Sequence, residues 1–143
     1  MRVRLIAAGT RLPEWVNEGV AEYAKRFGRG LQFELVEEPI GKQGERMRAA
    51  IGAGDYVVAL EVTGRALTTP ELARWLAARL AGGRDLAFLI GGPDGLDAGL
   101  SARADFHWSL SPLTWPHGLV RVMVAEQLYR AHSLLLGHPY HRA

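Results

Sequence analysis

Cysteine is absent from this 143-residue chain, and its absence excludes several classes of protein. Disulfide scaffolds, cysteine nucleophiles, thiolate zinc sites and iron–sulfur clusters all need sulfur atoms that the chain does not have. Long apolar runs are missing near the start, where the run from Leu5 to Gly9 is followed by a charged helical pattern. That run is too short for a secretory signal or a membrane span, so we expect a cytoplasmic protein without a membrane partner.

Lysine is scarce, because 15 of the 17 basic residues are arginine and only Lys25 and Lys42 are lysine. Arginine makes forked contacts with phosphate and stacks on bases, which favours a nucleic-acid partner, although a GC-rich genome would give the same bias. All five histidines lie between position 107 and the end, a region with Glu126 as its single acid. The C-terminal quarter is therefore where we expect a polyanion to dock.

Hydrophobic runs alternate with amphipathic stretches along the whole chain. Five short runs predict buried strands: Val3 to Ala8, Leu31 to Val36, Tyr56 to Val62, Leu86 to Ile90 and Phe106 to Leu110. Amphipathic patterns predict helices from Trp15 to Phe27, from Thr68 to Leu80, and from about Gly118 to Leu136. The runs at 56–62 and 86–90 are apolar on both faces, which predicts one α/β domain over residues 1–143, with a mostly parallel sheet covered by helices on both sides.

The last predicted helix has a broad apolar surface. Part of that surface meets a second subunit, or all of it packs in the core, and the pattern alone leaves both alternatives open. Between Pro39 and Asp55, where glycine is frequent, the chain is at its most loop-like, with a short helical pattern from Glu45 to Ile51.

A glycine-rich segment, Gly91 to Leu96, directly follows the predicted strand at 86–90. Ligands of open α/β sheets bind beyond the carboxyl ends of strands, where glycine lets the backbone approach them closely. The segment is neither a dinucleotide fingerprint nor a phosphate-binding P-loop. The alternative is a rigid Pro-Asp-Gly turn that leads into a helix.

A second candidate lies between the fifth strand and the last helix, from Leu110 to Gly118. Its two prolines and two hydroxyls predict a stiff loop whose free backbone groups bind a flat heterocycle such as a purine, with Leu113 or Trp115 packed against it. The alternative is a crossover loop around a buried tryptophan.

The third candidate is the segment from His138 to Ala143, which contains two imidazoles, a phenol and a guanidinium. Tyr140 is suited to stacking on a base and Arg142 to binding a phosphate or a negatively charged base. A metal site is not expected, because Pro139 separates the histidines and no carboxylate or thiol lies nearby in sequence. A frayed chain end is the alternative.

Taken together, these segments resemble the RlmH family of ribosomal large-subunit pseudouridine N3-methyltransferases, small members of the SPOUT class. The resemblance covers nearly the whole chain, except that the stretch between Ile40 and Asp55 is shorter than in many relatives. It rests on Ala8-Gly9-Thr10, Glu22-Tyr23, Arg26-Phe27, Phe88-Leu89-Ile90-Gly91-Gly92-Pro93-Asp94-Gly95-Leu96, Ser109-Leu110-Ser111-Pro112-Leu113-Thr114, Pro116-His117-Gly118-Leu119-Val120-Arg121-Val122, Ala125-Glu126-Gln127-Leu128-Tyr129-Arg130-Ala131 and His138-Pro139-Tyr140-His141-Arg142.

The resemblance implies a SPOUT-type α/β fold with a C-terminal trefoil knot, working as a homodimer. It implies S-adenosylmethionine as the methyl donor, bound in the knot without a metal. By matching motif, the cofactor contacts fall on Leu60, Gly91, Leu110, Ser111, Pro112, Leu113, Thr114 and Trp115.

The implied substrate is a pseudouridine in the helix 69 stem-loop of 23S rRNA, methylated at N3 in the assembled 70S ribosome. Within residues 138–143, the tail, Arg142 is expected to stabilise the developing negative charge and Tyr140 to stack or relay a proton. His138 and His141 are candidate proton acceptors, and we expect the tail to complete the site of the other subunit. Two rival interpretations are a ribosome-binding factor without catalysis and a small-molecule transferase with the same cofactor pocket.

Overall fold

The structure is a computed structural model that describes residues 1–28 and 30–142, with the backbone alone at 141 and 142. Its strands are β1 (Arg2–Ala8), β2 (Gln32–Glu38), β3 (Tyr56–Ala66), β4 (Leu86–Ile90) and β5 (Phe106–Ser109). Its α-helices are α1 (Glu14–Ala24), α2 (Gln43–Ala50), α3 (Thr69–Gly82), α4 (Ala98–Arg103) and α5 (His117–Leu135). Short 3-10 helices at Ile40–Lys42 and Pro139–Arg142 precede α2 and follow α5.

The five strands form one sheet in the order β2-β1-β4-β3-β5, and every pair is parallel. This confirms the predicted α/β class with a mostly parallel sheet. All the strand carboxyl ends therefore lie at the same end of the sheet, which is the end where open α/β sheets bind their ligands.

Helices cover both faces of the sheet, as predicted. Helices α1, α3 and α5 lie on one face and α2 and α4 on the other. The core on the first face includes Val58, Leu76, Phe88, Trp108, Val124 and Leu128. The core on the second face includes Ile6, Met47, Val57, Leu89 and Leu100. Strands buried on both faces need apolar side chains in both directions, which explains why β4 is a continuous apolar run.

Helix α3 begins one residue after its predicted start at Thr68 and extends two residues beyond its predicted end at Leu80. The Thr68 hydroxyl accepts from the backbone N–H of Glu71, and the Glu71 carboxylate accepts from the N–H of Thr68. This capping box satisfies two N–H groups that a helix start otherwise leaves without partners. At the other end, Gly83 adopts φ +72°, the left-handed conformation that commonly ends a helix.

Strand β3 is longer than its sequence pattern predicts. The predicted strand ends at Val62, whereas the observed one continues to Ala66 with a register shift against β5 between Leu60 and Arg65. A Cβ at Gly64 would lie 2.7 Å from the carbonyl carbon of His107, so glycine allows the irregular part of β3 to press against β5. Most of this extension is exposed, and apolar patterning therefore gives no signal for it.

Helix α1 is shorter than predicted, because it ends at Ala24 rather than Phe27. The Phe27 ring instead stacks on Phe33 of β2 with 5.3 Å between centroids.

In the described parts of the chain, every helix is too short or too polar to cross a bilayer.

Candidate functional site

A cavity of about 400 Å³ opens at the carboxyl ends of β3, β4 and β5. Its volume lies within the range of about 300–1,000 Å³ found for small-molecule sites. The cavity is bounded by the end of β3, the loop that follows β4, the loop that follows β5 and the first turn of α5. Of the eight residues predicted to contact the cofactor, seven line it: Leu60, Gly91, Leu110, Ser111, Leu113, Thr114 and Trp115. Pro112 is exposed and is not among the lining residues.

The loop after β4, Gly91 to Leu96, folds back on itself and forms one wall of the cavity. The N–H of Gly95 donates to the carbonyl oxygen of Gly92 at 2.9 Å, which closes a β-turn with Pro93 in its second position. A Cβ at Gly91 would lie 2.3 Å from the carbonyl carbon of Gly95 and 2.4 Å from the N of Leu96. Only glycine therefore fits at position 91 in this loop.

The N-terminal end of α2 supports the loop from outside the cavity. Gln43 accepts a hydrogen bond from the backbone N–H of Asp97 at 3.0 Å, and the Ile40 side chain packs beside Gly92. The Asp97 carboxylate in turn accepts from the N–H of Leu100 at the start of α4. The region from Pro39 to Asp55, predicted as loop-like, is thus ordered here and positions the glycine segment.

The loop after β5 owes its shape to two serine hydroxyls. Ser109 donates its hydroxyl to the carbonyl oxygen of Ser111 at 3.0 Å, and the Ser111 hydroxyl accepts from the N–H of Leu113 at 2.9 Å. These local bonds take the place of secondary structure and keep the loop open over the cavity. Leu113 is 62% exposed, so the cavity has an apolar rim.

Two buried nitrogen atoms at the cavity have no hydrogen-bond partner, Nε1 of Trp115 and Nε2 of His117. A buried polar atom without a partner costs about 1–3 kcal/mol, so a ligand that reaches these atoms gains by bonding to them. Burial, together with the positive charge of Arg121, lowers the pKa of His117 below its usual 6.5. At neutral pH this imidazole is therefore uncharged.

Arg121 connects α5, whose first turn borders the cavity, to the sheet. Its side chain is fully buried, pairs with Glu37 of β2 at 2.5 Å, and donates to the carbonyl oxygens of Ala8 and Gly9 at 3.1 and 2.8 Å. Burial lowers the pKa of this guanidinium, while the bond to Glu37 acts in the opposite direction. Sequence reasoning gave Arg121 no role, because its partners are distant in sequence.

Within the tail, Tyr140 packs against α5 of the same chain and does not line the cavity. The Tyr140 hydroxyl donates to Glu126 at 2.7 Å, and its ring meets the Tyr129 ring edge-on with 4.8 Å between centroids. Burial, followed by the bonds to Tyr23 and Glu126, raises the pKa of Tyr140, so this hydroxyl keeps its proton at neutral pH.

The other tail residues of the predicted catalytic group also lie outside the cavity lining or outside the described atoms. His138 is exposed, its backbone N–H donates to Ser133, and its Nδ1 accepts from the N–H of Tyr140 at 3.3 Å. The side chains of His141 and Arg142 lie outside the part of the chain that the structure describes.

A second groove, of about 310 Å³, lies between α1, α3 and α5 on one face of the sheet. It shares Trp108 and Leu110 with the cavity and includes Glu126, the acceptor for Tyr140.

Between residues 1 and 28 and between 30 and 142, no group of three or more histidine, aspartate or glutamate residues is arranged to hold a metal ion.

Comparison with known proteins agrees with this geometry. The family model described as "Predicted SPOUT methyltransferase" matches residues 1–141. The chain is 56% identical to the ribosomal RNA large subunit methyltransferase H of Alkalilimnicola ehrlichii, over 100% of both chains. It is 47% identical to the protein of the same name from Hahella chejuensis, over 99% of both chains.

Two solved structures share the fold at low sequence identity. The SpoU methyltransferase AviRb of Streptomyces viridochromogenes, solved in complex with its cofactor AdoMet, matches with a TM-score of 0.54 at 13% identity. That match covers 90% of this chain and 57% of AviRb. A probable methylase family protein of Haemophilus influenzae matches with a TM-score of 0.58 at 15% identity, over 97% of this chain and 69% of that one. The chain therefore belongs to the SPOUT methyltransferases, and within them to the family of ribosomal RNA large subunit methyltransferase H.

Proposed function

We propose that this protein is an rRNA methyltransferase that uses S-adenosylmethionine to methylate N3 of a pseudouridine in helix 69 of 23S rRNA. The substrate is the assembled 70S ribosome, which places the protein in the cytoplasm. The observation that carries the proposal is the cavity at the strand carboxyl ends, where the segments at 60–63, 90–96 and 108–117 converge. The relatives named for methylation of large-subunit rRNA support the choice of substrate.

The cavity fits an adenosyl cofactor in size and in chemistry. Its volume is about 400 Å³, its lining is mostly apolar, and it offers unpaired nitrogen atoms on Trp115 and His117. Leu60, Gly91 and the segment from Leu110 to Trp115 would hold the cofactor, with Gly91 allowing close approach of the backbone. When bound, S-adenosylmethionine supplies a methyl group on a good leaving group. No bound metal is part of the proposal.

The protein's own task in this reaction is alignment and proton removal. Displacement at a methyl group requires an in-line arrangement of donor and acceptor, and the ring nitrogen must lose its proton to become a nucleophile. We assign stabilisation of the resulting negative charge to Arg142 and acceptance of the proton to His138 or His141. Tyr140, whose pKa is raised, stacks on the base or relays the proton.

The active unit in this proposal is a homodimer in which each tail serves the site of the other subunit. Within one subunit, Tyr140 and His138 are held on α5 by Glu126 and Ser133, and neither side chain lines the cavity of that subunit. Leu135 and Leu136, at the end of α5, are exposed apolar residues next to the tail. A second copy packed on this surface would bury them and bring the tail beside a cavity.

The direct test is methylation of the proposed substrate. Ribosomes that lack the modification are incubated with the protein and labelled S-adenosylmethionine, and the labelled nucleoside is identified by mass spectrometry. We expect label at N3 of one pseudouridine in helix 69, and an isolated RNA hairpin should be a poor substrate. Label at any other atom would overturn the assignment. Ribosome binding without label would favour a non-catalytic factor, and activity on small molecules alone would favour a small-molecule transferase.

The shared site is tested with mixed dimers. One subunit carries Gly91→Ala to disable its cofactor loop, and the other lacks residues 137–143. If the sites are shared across the dimer, the intact tail of the first subunit completes the intact cavity of the second, and the mixed dimer regains about half of the wild-type activity. Mixed dimers that remain as inactive as each variant alone would show that each tail serves its own subunit.

A further inference from the structure

Glu61 is a cavity residue to which the proposed mechanism gives no role. It directly follows Leu60 on β3, and among the described residues that line the cavity it alone carries an acid. Its side chain is 23% exposed. A partly buried carboxylate in a mostly apolar cavity is unfavourable unless it has hydrogen-bond partners, so its presence there needs an explanation.

Two side chains from different elements hold this carboxylate in place. Ser101 of α4 donates its hydroxyl to Oε1 and Oε2 at 2.9 and 3.0 Å, and Nδ1 of His107 on β5 lies 2.6 Å from Oε1. A carboxylate offers about four lone-pair sites, so these contacts orient it without using all of its acceptor capacity. Glu61 is thus a preoriented acceptor at the cavity wall.

Strand β3 is irregular in the segment that contains Glu61. The register of β3 against β5 shifts between Leu60 and Arg65, immediately after the residue predicted to contact the cofactor. Gly64 makes the shift possible, because any larger residue would collide with the backbone of His107. Strand irregularities of this kind redirect side chains next to binding sites.

We infer that the Glu61 carboxylate accepts hydrogen bonds from the ribose hydroxyls of the adenosyl cofactor, with Ser101 and His107 as its positioning residues. The inference rests on the proposed function, because it takes the ligand to be an adenosyl compound. Ribose hydroxyls are hydrogen-bond donors, and an acidic side chain is the group that dinucleotide-binding α/β proteins use for a ribose hydroxyl. The unpaired N–H of Trp115 is a donor and cannot take this role.

The test measures whether Glu61 and the ribose hydroxyls act on the same interaction. Wild type and Glu61→Gln are titrated calorimetrically with S-adenosylhomocysteine and with its 2′-deoxy and 3′-deoxy analogues. Hydrogen bonds to charged groups predict that wild type binds at least one deoxy analogue about 10-fold more weakly than the parent. Glu61→Gln should bind the parent about 10-fold more weakly and should no longer distinguish that analogue from it.

Several outcomes would overturn the inference. Full discrimination by Glu61→Gln would show that the carboxylate and the hydroxyls act independently. A loss of affinity for S-adenosylmethionine much larger than that for S-adenosylhomocysteine would show that the carboxylate pairs with the sulfonium charge instead. Failure of the wild-type protein to bind any adenosyl ligand would overturn the proposed function and the inference with it, whereas the first two outcomes leave the proposed function standing.

Further variants provide a control and a second test. Glu34→Gln removes an exposed acid from β2, at the opposite end of the strand order, and should leave affinity and discrimination unchanged. His107→Gln and Ser101→Ala leave Glu61 in place but release it, so each should reduce discrimination against the deoxy analogue about threefold. If Glu61→Gln does not fold, these two variants decide the test, and wild-type discrimination in both would overturn the inference.

Discussion

Replacing Gly91 with alanine should disable the cofactor site while leaving a folded protein. The added Cβ would lie 2.3 Å from the carbonyl carbon of Gly95, whereas ordinary contact begins at 3.4 Å. Both groups belong to the backbone of one short loop, so no side-chain rotation can relieve the overlap and the loop must move by about 1 Å. A misplacement of that size in a positioning element costs about 100-fold in rate, equivalent to about 2.7 kcal/mol.

The assay separates the site from the fold. We expect Gly91→Ala to lower kcat/KM for ribosome methylation about 100-fold and to weaken S-adenosylmethionine binding in calorimetry. Its free energy of unfolding in urea should fall by about 1–3 kcal/mol, the usual cost of an overpacked position.

The matched control is Gly54→Ala, in a turn where an added Cβ has no neighbour within 4 Å and φ is not positive. This variant should keep wild-type activity and binding. A folded Gly91→Ala protein whose cofactor affinity stays within twofold of wild type would refute the reasoning.

Two further predictions concern stability. Arg121→Met leaves the Glu37 carboxylate and two carbonyl oxygens without their donor, so urea denaturation should show a loss of about 3–5 kcal/mol, and adding Glu37→Met should recover much of it. A loss below about 1 kcal/mol would mean that the bonds of Arg121 are not stabilising. Burial lowers the pKa of His132 below 6.5, so the unfolded chain takes up a proton more readily and stability declines as pH falls through that value. His132→Gln should weaken this decline in melting temperature between about pH 7 and pH 5.5, and an unchanged slope would contradict the assignment.

Local signals in the sequence predict the elements whose ends depend on nearby residues. The run from Leu86 to Ile90 matches β4 residue for residue, because a central parallel strand must be apolar on both faces. Thr68 and Glu71 begin α3 through bonds that span three residues. The three candidate segments could also be found, since glycine, proline and clustered histidines are visible without a structure.

The rest depends on contacts between distant parts of the chain. The extension of β3 pairs with β5, and His107 of β5 contacts Glu61. The collision that makes Gly91 necessary appears only when the loop after β4 folds back. The tail's position on α5, through Tyr140 and Glu126, could not be inferred from its composition. Binding of the cofactor by Leu60, Gly91 and residues 110–115, the homodimer and the knot remain predictions.

The bonds made by Arg121 also bear on the order in which this protein folds. They join residues separated by 84, 112 and 113 positions, so they close most of the 143-residue chain into one loop. Contacts between residues so far apart in sequence are slow to form, and here they require α5 to be docked on the sheet. Cofactor binding should therefore appear late in refolding, after most secondary structure, and can serve as a kinetic marker for the last step of assembly.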